Sequence, residues 1–218
     1  MTDVSVDLRS PDTGMWVHII SGDPLLSRAT EMYRQALAEA GVDGASHAIP
    51  PQRPDGRRSF HVAVDASGSP LGVLQASIGT LDQLSLGPMM EPGKRLGGVI
   101  CECPAISVAP GHEDQGVTEL LYRSVYCFAR RQGAESLAAI VDPMTLDLFR
   151  DEYGILFRAL GPVSRHMGFD QIAVGERLSV LETSLYALRP DFYDFLSEPL
   201  TPEERSMFGL RPTAASIT

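Results

Sequence analysis

With 218 residues, 44% of them hydrophobic, the chain is long enough to bury one sizeable core. Its 18 basic residues are outnumbered by 28 acidic ones, and the resulting net charge of −10 argues against a broad binding surface for nucleic acid or an anionic membrane. Three cysteines, two of them separated by a single residue, fit neither a disulfide framework nor a zinc-site spacing. Residues 1–10 lack the pattern of a secretory leader, so we expect a cytoplasmic protein.

The first third of the chain predicts a strand, a helix and a hairpin. Residues 15–20 are rich in strand formers, and Asp23 followed by Pro24 is typical of a helix start. The run 44–58 is rich in proline and glycine, which predicts either a loop able to cover a site or an inert connection. Two strand-like runs with a compact turn between them then predict a hairpin, at 59–65 and 71–78.

The rest of the chain predicts alternating strands and helices after an irregular segment at 80–97. The expected elements are a strand at 99–108, a helix from about Asp114, a strand at 136–141, a helix from Asp142 to about Leu160, and strands at 169–174 and 178–188. An antiparallel meander followed by a βαβ crossover predicts an α/β fold with a central mixed β-sheet flanked by helices.

We assign residues 1–190 to one domain and residues 191–218 to a C-terminal appendage with a short helix. Thr201, Pro202 and Glu204 predict where that helix begins, because threonine before the helix and glutamate three residues later form a capping box.

The stretch from Cys101 to Leu121 reads as a strand, a tight turn and the start of a helix. It resembles the central motif of the GNAT acyltransferase superfamily, in which a strand ending in Val-x-Pro leads into an Arg-x-x-Gly-x-Gly/Ala turn. Val108, Pro110 and Gly116 match that motif. The resemblance implies a GNAT-like fold with splayed central strands, and a turn whose backbone N–H groups hold the pyrophosphate of coenzyme A.

Two positions depart from the motif. Glu113 stands where the family has arginine, and Thr118 stands at the last small position. The resemblance therefore implies one of two donors, acyl-CoA or an acyl-phosphopantetheine on an acyl carrier protein. No metal is expected. The resemblance assigns donor binding to the strand end and the turn, at Ser107, Val108, Gln115, Gly116, Val117 and Thr118.

Glu102 makes the resemblance more specific, to two classes of enzyme within this superfamily. Acyl-homoserine-lactone synthases and N-acyl amino acid synthases carry a glutamate six residues before the equivalent valine, in a Glu-x-Ser-Arg-Phe-x-Val pattern. Here Glu102, Ile106 and Val108 match, while the serine and arginine positions do not. Aminolysis of a thioester needs a neutral amine, so Glu102 is a candidate general base. The alternative is a glutamate that pairs with an arginine to hold the sheet.

Further roles follow with their alternatives. N–H groups near Ser107 and Val108 could stabilise a tetrahedral oxyanion, and Pro104 favours an edge or a bulge in that strand. Tyr153 is a candidate general acid for the departing thiolate, or else an apolar-stripe residue. Arg165 and His166 follow the last predicted helix and are candidates for binding an acceptor carboxylate.

Cys101 and Cys103 lie on the face opposite Glu102 if the strand alternates regularly. A covalent acyl-enzyme on one of them is one interpretation, and small buried side chains are the other.

These features together predict an N-acyltransferase that moves an acyl group from a thioester to the amine of a small molecule, such as an amino acid. An apolar acyl channel is expected to include Leu74, Met89, Met90, Leu146 and Phe149. The alternatives are a plain acetyl-CoA-dependent N-acetyltransferase and a non-catalytic GNAT-fold protein that binds a ligand or partner. An acyl carrier protein and a second copy of the chain are the macromolecular partners left open.

Overall fold

A single mixed sheet organises the chain in the computed structural model, which describes residues 8–9, 14–20, 24–39, 58–166 and 168–211. The strands are β1 (Leu8–Arg9), β2 (Trp16–Ile20), β3 (Arg58–Val64), β4 (Pro70–Gly79), β5 (Ile100–Val108), β6 (Ser136–Val141), β7 (Arg158–Ala159), β8 (Ser164–His166) and β9 (Phe169–Arg177). Their order across the sheet is β1-β2-β3-β4-β5-β6-β9-β7, and β8 pairs with β9. The β5–β6 pair is parallel, and the other pairs are antiparallel.

Helices cover both faces of this sheet. They are α1 (Pro24–Glu39), α2 (Val117–Arg131), α3 (Pro143–Asp151), α4 (Leu178–Leu188), α5 (Pro190–Ser197) and α6 (Pro202–Met207). One face, called here the α2 face, packs against α2, α4 and α5, and its core includes Leu74 and Cys101. The other, called the loop face, is covered at β5 and β6 by residues 80–97, which contribute Leu84 and Leu86. No helix among the described residues is long and apolar enough to cross a membrane.

The predicted mixed α/β fold is confirmed. The strand at 15–20, the hairpin of β3 and β4, and the strands now seen as β5, β6 and β9 all form close to their predicted bounds. The capping box at α6 also forms, since the Thr201 hydroxyl accepts from the Glu204 N–H at 3.2 Å and the Glu204 carboxylate accepts from the Thr201 N–H at 2.9 Å. The predicted helix cap at Asp23 and most of the loop at 44–58 lie outside the described residues.

The strand predicted at 178–188 is wrong, because these residues form helix α4. Leu178, Leu181 and Leu185 recur at helical spacing and bury one face against the core, whereas the apolar content of the run suggested a strand. The helix predicted to reach Leu160 ends instead at Asp151, and Gly154 follows in the left-handed region with φ of 67°. The helix expected from about Asp114 begins at Val117.

A β-bulge interrupts β5 beside Pro104. Gln75 of β4 pairs with Ala105, and Ser77 pairs with Glu102, so two residues of β5 oppose one residue of β4. The expected irregularity at Pro104 is therefore confirmed. Because a bulge shifts the alternation by one residue, it changes which side chains of β5 face each side of the sheet.

The C-terminal helices pack on α2. Phe192, Tyr193 and Leu196 of α5 are buried in the same core cluster as α2. Three arginines of α2 form ion pairs with three glutamates of the C-terminal segment, as Arg123–Glu198, Arg130–Glu182 and Arg131–Glu204.

Candidate active site

A cleft opens between the two central parallel strands. The β5–β6 ladder runs from Ile100–Ser136 to Cys103–Ala139 and then ends. Beyond that point β5 stays paired with β4 as far as Val108, while β6 stays paired with β9 as far as Val141. The carboxyl ends of these strands therefore diverge, which leaves backbone groups on the inner edge of each strand without a neighbouring strand.

Glu102 lies at the closed end of this cleft, in the ladder position just before the last pair. Its side chain is on the loop face, and the residue is only 2% exposed. Ser85 donates twice to the carboxylate, from its hydroxyl at 2.8 Å and from its backbone N–H at 3.1 Å, and the Leu86 N–H donates at 2.6 Å. Three donors thus compensate the burial of the charge, and the arginine partner considered from the sequence is not among them.

The segment that supplies these donors is itself firmly held. Leu84 and Leu86 are buried in the loop-face core, while Ser85 between them is exposed. Farther along, the Glu91 N–H donates to the Leu160 carbonyl at 2.8 Å. Gly161 lies so close to this segment that an added Cβ would come within 2.0 Å of the Met89 carbonyl oxygen.

An apolar pocket occupies the α2 face at the same pair of strands. The empty space in it, including open solvent at its mouth, is about 630 Å³. The strands contribute Leu74, Cys103, Leu137, Ala138 and Ala139; the helices and the segment after α3 contribute Tyr122, Val125, Tyr126, Phe149, Ile155, Phe157, Leu178, Leu181, Glu182, Leu185 and Leu196. The ring of Phe149 packs against both Tyr122 and Phe157.

The polar atoms at the α4 side of the pocket are already paired. The Glu182 carboxylate accepts from the Tyr126 hydroxyl at 2.8 Å and from Arg130 Nε at 2.7 Å. Burial raises the pKa of Tyr126 far above its usual range, so its hydroxyl stays protonated. Because these groups satisfy one another, the pocket presents an almost entirely carbon wall.

The expected acyl-channel residues divide between the two faces. Leu74 and Phe149 line the pocket, whereas Met89 and Met90 pack on the loop-face core. Leu146 packs in a separate cluster with Ala139 and Phe157. No three His, Cys, Asp or Glu side chains of the described ranges cluster as a metal site would require.

Tyr153 lies on the α2 face, opposite the face that carries Glu102. Its hydroxyl donates to Glu119 Oε1 at 2.9 Å, and its ring packs between Tyr122 and Phe192. Burial, followed by the neighbouring Glu119, raises the pKa of Tyr153 above its usual range. The two residues predicted as base and acid are thus separated by the sheet, and Tyr153 already has a hydrogen-bond partner.

The turn between β5 and α2 contains two glycines in the left-handed region, Gly111 with φ of 83° and Gly116 with φ of 78°. Gly116 caps α2. The Gln115 N–H donates within the turn to the His112 carbonyl at 3.3 Å, and the Gln115 side chain bonds to both His112 and Gly111. Of the predicted donor-binding residues, Val117 and Thr118 are therefore the ones at the first turn of the helix, where N–H groups have no intrahelical acceptor.

Charge in this region is negative. Residues 109–119 include Glu113, Asp114 and Glu119 and no lysine or arginine. Glu119 Oε2 is buried without a hydrogen-bond partner among the described residues. A phosphate at this helix start would benefit from the helix dipole but would meet three carboxylates nearby in sequence.

Arg165 and His166 belong to strand β8, which pairs with residues 169–171 of β9. Because β6 pairs with β9 only from Ile172 onward, this hairpin extends past the end of β6 at which the cleft opens. The Arg165 side chain is 74% exposed and lies 3.8 Å from Asp170. Arg165 therefore lies on a hairpin beyond the end of β6, with most of its side chain exposed.

Cys101 and Cys103 both lie on the α2 face, as the strand alternation predicts. Cys101 is buried, and Cys103 is half-buried and lines the pocket. A hydrogen bond with Cys103, together with burial, raises the pKa of the Cys101 thiol well above its usual range. Cys101 therefore stays a neutral thiol, which favours its reading as a small buried side chain.

Sequence reasoning missed Ser85, Leu86 and the α4 wall of the pocket. Ser85 lies 17 residues before Glu102 in a segment without regular periodicity, so nothing local indicated the contact. The α4 wall was missed because residues 178–188 were interpreted as a strand. The helical spacing of Leu178, Leu181 and Leu185 was the signal that could have identified it.

Comparison with solved structures identifies the fold. The CoA-dependent acyl-homoserine lactone synthase BjaI, solved with SAM and isopentyl-CoA, is similar over 92% of both chains, with a TM-score of 0.62 and 16% identity. FeeM, an N-acyl amino acid synthase from uncultured soil microbes, is similar over 78% of this chain and 94% of its own, with a TM-score of 0.59 and 14% identity. NAA60 of Arabidopsis thaliana, solved with a bisubstrate analogue, is similar over 74% of this chain and 97% of its own, with a TM-score of 0.52 and 12% identity.

The protein has the GNAT fold. The sequence itself matches no family model and no curated protein. The expected resemblance to acyl-homoserine lactone synthases and N-acyl amino acid synthases is confirmed at the level of three-dimensional structure.

Proposed function

We propose that the protein is an N-acyltransferase that moves an acyl group longer than acetyl from a thioester to the amine of a small molecule. The observation that carries this proposal is the cleft after Cys103 and Ala139, which has a buried carboxylate on one face and an apolar pocket on the other. Aminolysis of an acyl thioester needs both a base and a dry site for the acyl chain.

Glu102 is the base in this mechanism. Attack of the amine on the thioester carbonyl gives a tetrahedral intermediate that must lose a proton from nitrogen before the C–S bond breaks. Glu102 lies on the strand that borders the cleft, and the ladder ends one residue farther on.

The oxyanion is stabilised by N–H groups on the free edge of β5. The Ala109 N–H bonds to the Leu71 carbonyl of β4 at 2.7 Å. Successive N–H groups of a strand point in opposite directions, so the N–H of Val108 is directed towards the cleft. A fixed donor at that position stabilises the negative charge that develops on the carbonyl oxygen.

The acyl chain occupies the apolar pocket. Its walls are aromatic and aliphatic side chains with almost no polar surface, which suits an alkyl chain better than an acetyl group. The paired state of Tyr126, Glu182 and Arg130 favours an unsubstituted chain, because a buried hydroxyl or carbonyl on the chain would find few partners.

The donor's pantetheine arm enters through the cleft, and the first turn of α2 contacts its phosphate. Val117 and Thr118 supply backbone N–H groups for that contact, with Gly116, Gln115 and Ser107 shaping its surroundings. A single phosphate of a phosphopantetheine brings less charge than coenzyme A to a turn that contains Glu113 and Asp114. This favours an acyl carrier protein as donor, with acyl-CoA as the alternative. The exposed Arg165 and the neighbouring His166 contact an acceptor carboxylate in this proposal.

The test is turnover by the purified chain with a panel of donors and acceptors. Acetyl-CoA, octanoyl-CoA and octanoyl-acyl carrier protein would each be mixed with the twenty amino acids, with thiol release followed by absorbance and amide products by mass spectrometry. We expect amide from an octanoyl donor at a rate well above that from acetyl-CoA.

Two other outcomes would identify the alternatives. Acetyl transfer at the higher rate would indicate a plain N-acetyltransferase. Tight binding of a donor without turnover, for wild type and Glu102→Gln alike, would indicate a ligand-binding GNAT-fold protein, an alternative that the acidic turn at Glu113 favours.

A further inference from the structure

We propose that Ser85 relays the proton between the acceptor amine and Glu102. This inference rests on the proposed function and assigns a role to a residue outside the sequence motif. Glu102 is 2% exposed, whereas Ser85 is exposed, and the Ser85 hydroxyl donates to Glu102 Oε1 at 2.8 Å. Of the described residues, two bond this carboxylate, and only Ser85 of these is exposed. Leu86 is buried and contributes only its backbone N–H.

The local fold sets this arrangement. Leu84 and Leu86 bury their side chains in the loop-face core, while Ser85 between them is exposed and its hydroxyl reaches the Glu102 carboxylate. The backbone N–H groups of Ser85 and Leu86 hold the carboxylate at 3.1 and 2.6 Å. Two backbone N–H groups therefore remain to hold the carboxylate when the hydroxyl, its third donor, is removed.

A hydroxyl can both accept and donate, so it can pass on a proton without holding a charge. In the tetrahedral intermediate the N–H bond of the former amine breaks and its proton moves to Ser85 Oγ. The original Ser85 O–H bond breaks at the same time, and that proton moves to Glu102 Oε1. The C–S bond then breaks with its electron pair on sulfur, and the thiolate gains a proton from solvent while Glu102 returns its proton to solvent. The products are an amide and a thiol, with protons balanced.

Because backbone N–H groups also hold the Glu102 carboxylate, a variant of the Ser85 side chain can test the relay without removing all support for the carboxylate. Ser85→Ala removes the hydroxyl and keeps both backbone N–H bonds, so we expect the melting temperature to change little. We expect kcat/KM for aminolysis to fall about a hundredfold, near the lower end of what a base contributes, because the amine proton must then reach Glu102 in a single transfer. Ser85→Thr keeps a hydroxyl and is expected to restore most of the activity.

The matched control is Ser67→Ala. The Ser67 hydroxyl also donates to a carboxylate, Asp65 Oδ1, at 2.6 Å, and it lies in the exposed turn between β3 and β4. This variant loses the same kind of hydrogen bond away from the cleft, so we expect wild-type kcat/KM.

The decisive readout is a proton inventory, in which the rate is measured in mixtures of H₂O and D₂O. Two protons move together in the relay, so wild type is expected to give a curved plot and Ser85→Ala a straight one. Loss of activity with an unchanged plot, failure of Ser85→Thr to restore activity, or equal activity in Ser85→Ala and Ser67→Ala would each overturn the relay.

The comparison with Glu102→Gln separates this inference from the proposed function. If Glu102→Gln loses activity and Ser85→Ala does not, the base stands and the relay is wrong. A wild-type chain inactive on every donor and acceptor of the panel would overturn the proposed function and the relay together.

Discussion

At the β5–β6 cleft the polar groups on the two faces of the sheet have different environments. On the loop face a buried carboxylate is held by the exposed Ser85 and by backbone N–H groups, so a charge is kept close to solvent. On the α2 face Glu182, Tyr126 and Arg130 satisfy one another and leave a carbon-lined pocket. One strand ladder thus separates a buried carboxylate near solvent from an apolar pocket, and the proposed function assigns proton transfer to the first and the acyl chain to the second.

The largest effect on the reaction rate is expected when the carboxylate of Glu102 on the loop face is replaced by an amide. In the proposed mechanism Glu102→Gln removes the base while keeping a similar shape, so kcat should fall about 10²- to 10⁴-fold with little change in donor affinity. Single-turnover aminolysis and donor titration would measure the two quantities. Glu176→Gln is the matched control, because Glu176 is also a strand glutamate but lies on β9 and pairs with Arg158. Equal loss in both variants would contradict the assignment.

Removing the Glu182 carboxylate from its pairing with Arg130 on the α2 face should mainly reduce stability. Glu182→Ala leaves the largely buried Arg130 without its carboxylate, and loss of one partner of a buried ion pair costs about 3–5 kcal/mol. Denaturant unfolding would measure the free energy. The ion pair Arg150–Asp147 is exposed, so Asp147→Ala should cost less than about 1 kcal/mol. Similar losses in both variants would be inconsistent with a buried network.

His61 provides a pH test of the α2 face. It is fully buried, its Nδ1 lies 2.6 Å from the Ser124 hydroxyl, and burial lowers its pKa to about 3. An unfolded chain binds the proton near pH 6.5, so this contribution to stability is complete above that pH and is lost as the pH falls towards 3. Between pH 6.5 and 4.5 the free energy of unfolding should drop by about 2–3 kcal/mol from this residue.

The measurement is chemical unfolding across that pH range for wild type and His61→Gln. The variant should show a shallower decline with acid, whatever its stability at neutral pH. His112→Gln changes a histidine in the β5–α2 turn and is the control variant. If the free energy of unfolding falls with acid as steeply in His61→Gln as in wild type, protonation of His61 does not cause the decline.

Filling the pocket should change donor preference by a smaller amount. Ala139 lies where the strands separate and lines the pocket. Ala139→Leu takes up space that the acyl chain would occupy, so kcat/KM for an octanoyl donor should fall about 10- to 200-fold while that for acetyl-CoA stays near wild type. Ala159→Leu adds the same side chain at an exposed position and serves as control. An unchanged octanoyl-to-acetyl ratio would place the chain elsewhere.

The smallest expected effect is at the capping box of α6. Thr201→Ala removes the side-chain acceptor for the Glu204 N–H and should cost about 1 kcal/mol, read from thermal or denaturant unfolding. Donor preference should not change, because α6 does not line the pocket. A shift in acyl preference would mean that α6 influences the pocket through α5.

Local patterns predicted the strands and the turn, because each depends on residues close together in sequence. The Val108–Gly116 motif and the alternation around Glu102 identified the cleft and separated Glu102 from the two cysteines. The partners of Glu102 could not be predicted, since Ser85 reaches it only through the packing of Leu84 and Leu86. Tyr153 was proposed as the general acid from its residue type and its place on a predicted helix, but that helix ends at Asp151, and the face on which Tyr153 lies is set by its packing with Tyr122 and Phe192.

The central claim is that an acyl chain enters the α2-face pocket while its carbonyl lies at the cleft beside Glu102. A crystal structure of the protein with a non-hydrolysable ketone analogue of octanoyl-CoA, in which a methylene separates the sulfur from the carbonyl, and with the same arm on an acyl carrier protein, tests it most directly. We predict the alkyl chain against Ala139 and Phe149 and the carbonyl oxygen within hydrogen-bond distance of the Val108 N–H. An alkyl chain bound outside this pocket, or a carbonyl remote from β5, would contradict the account.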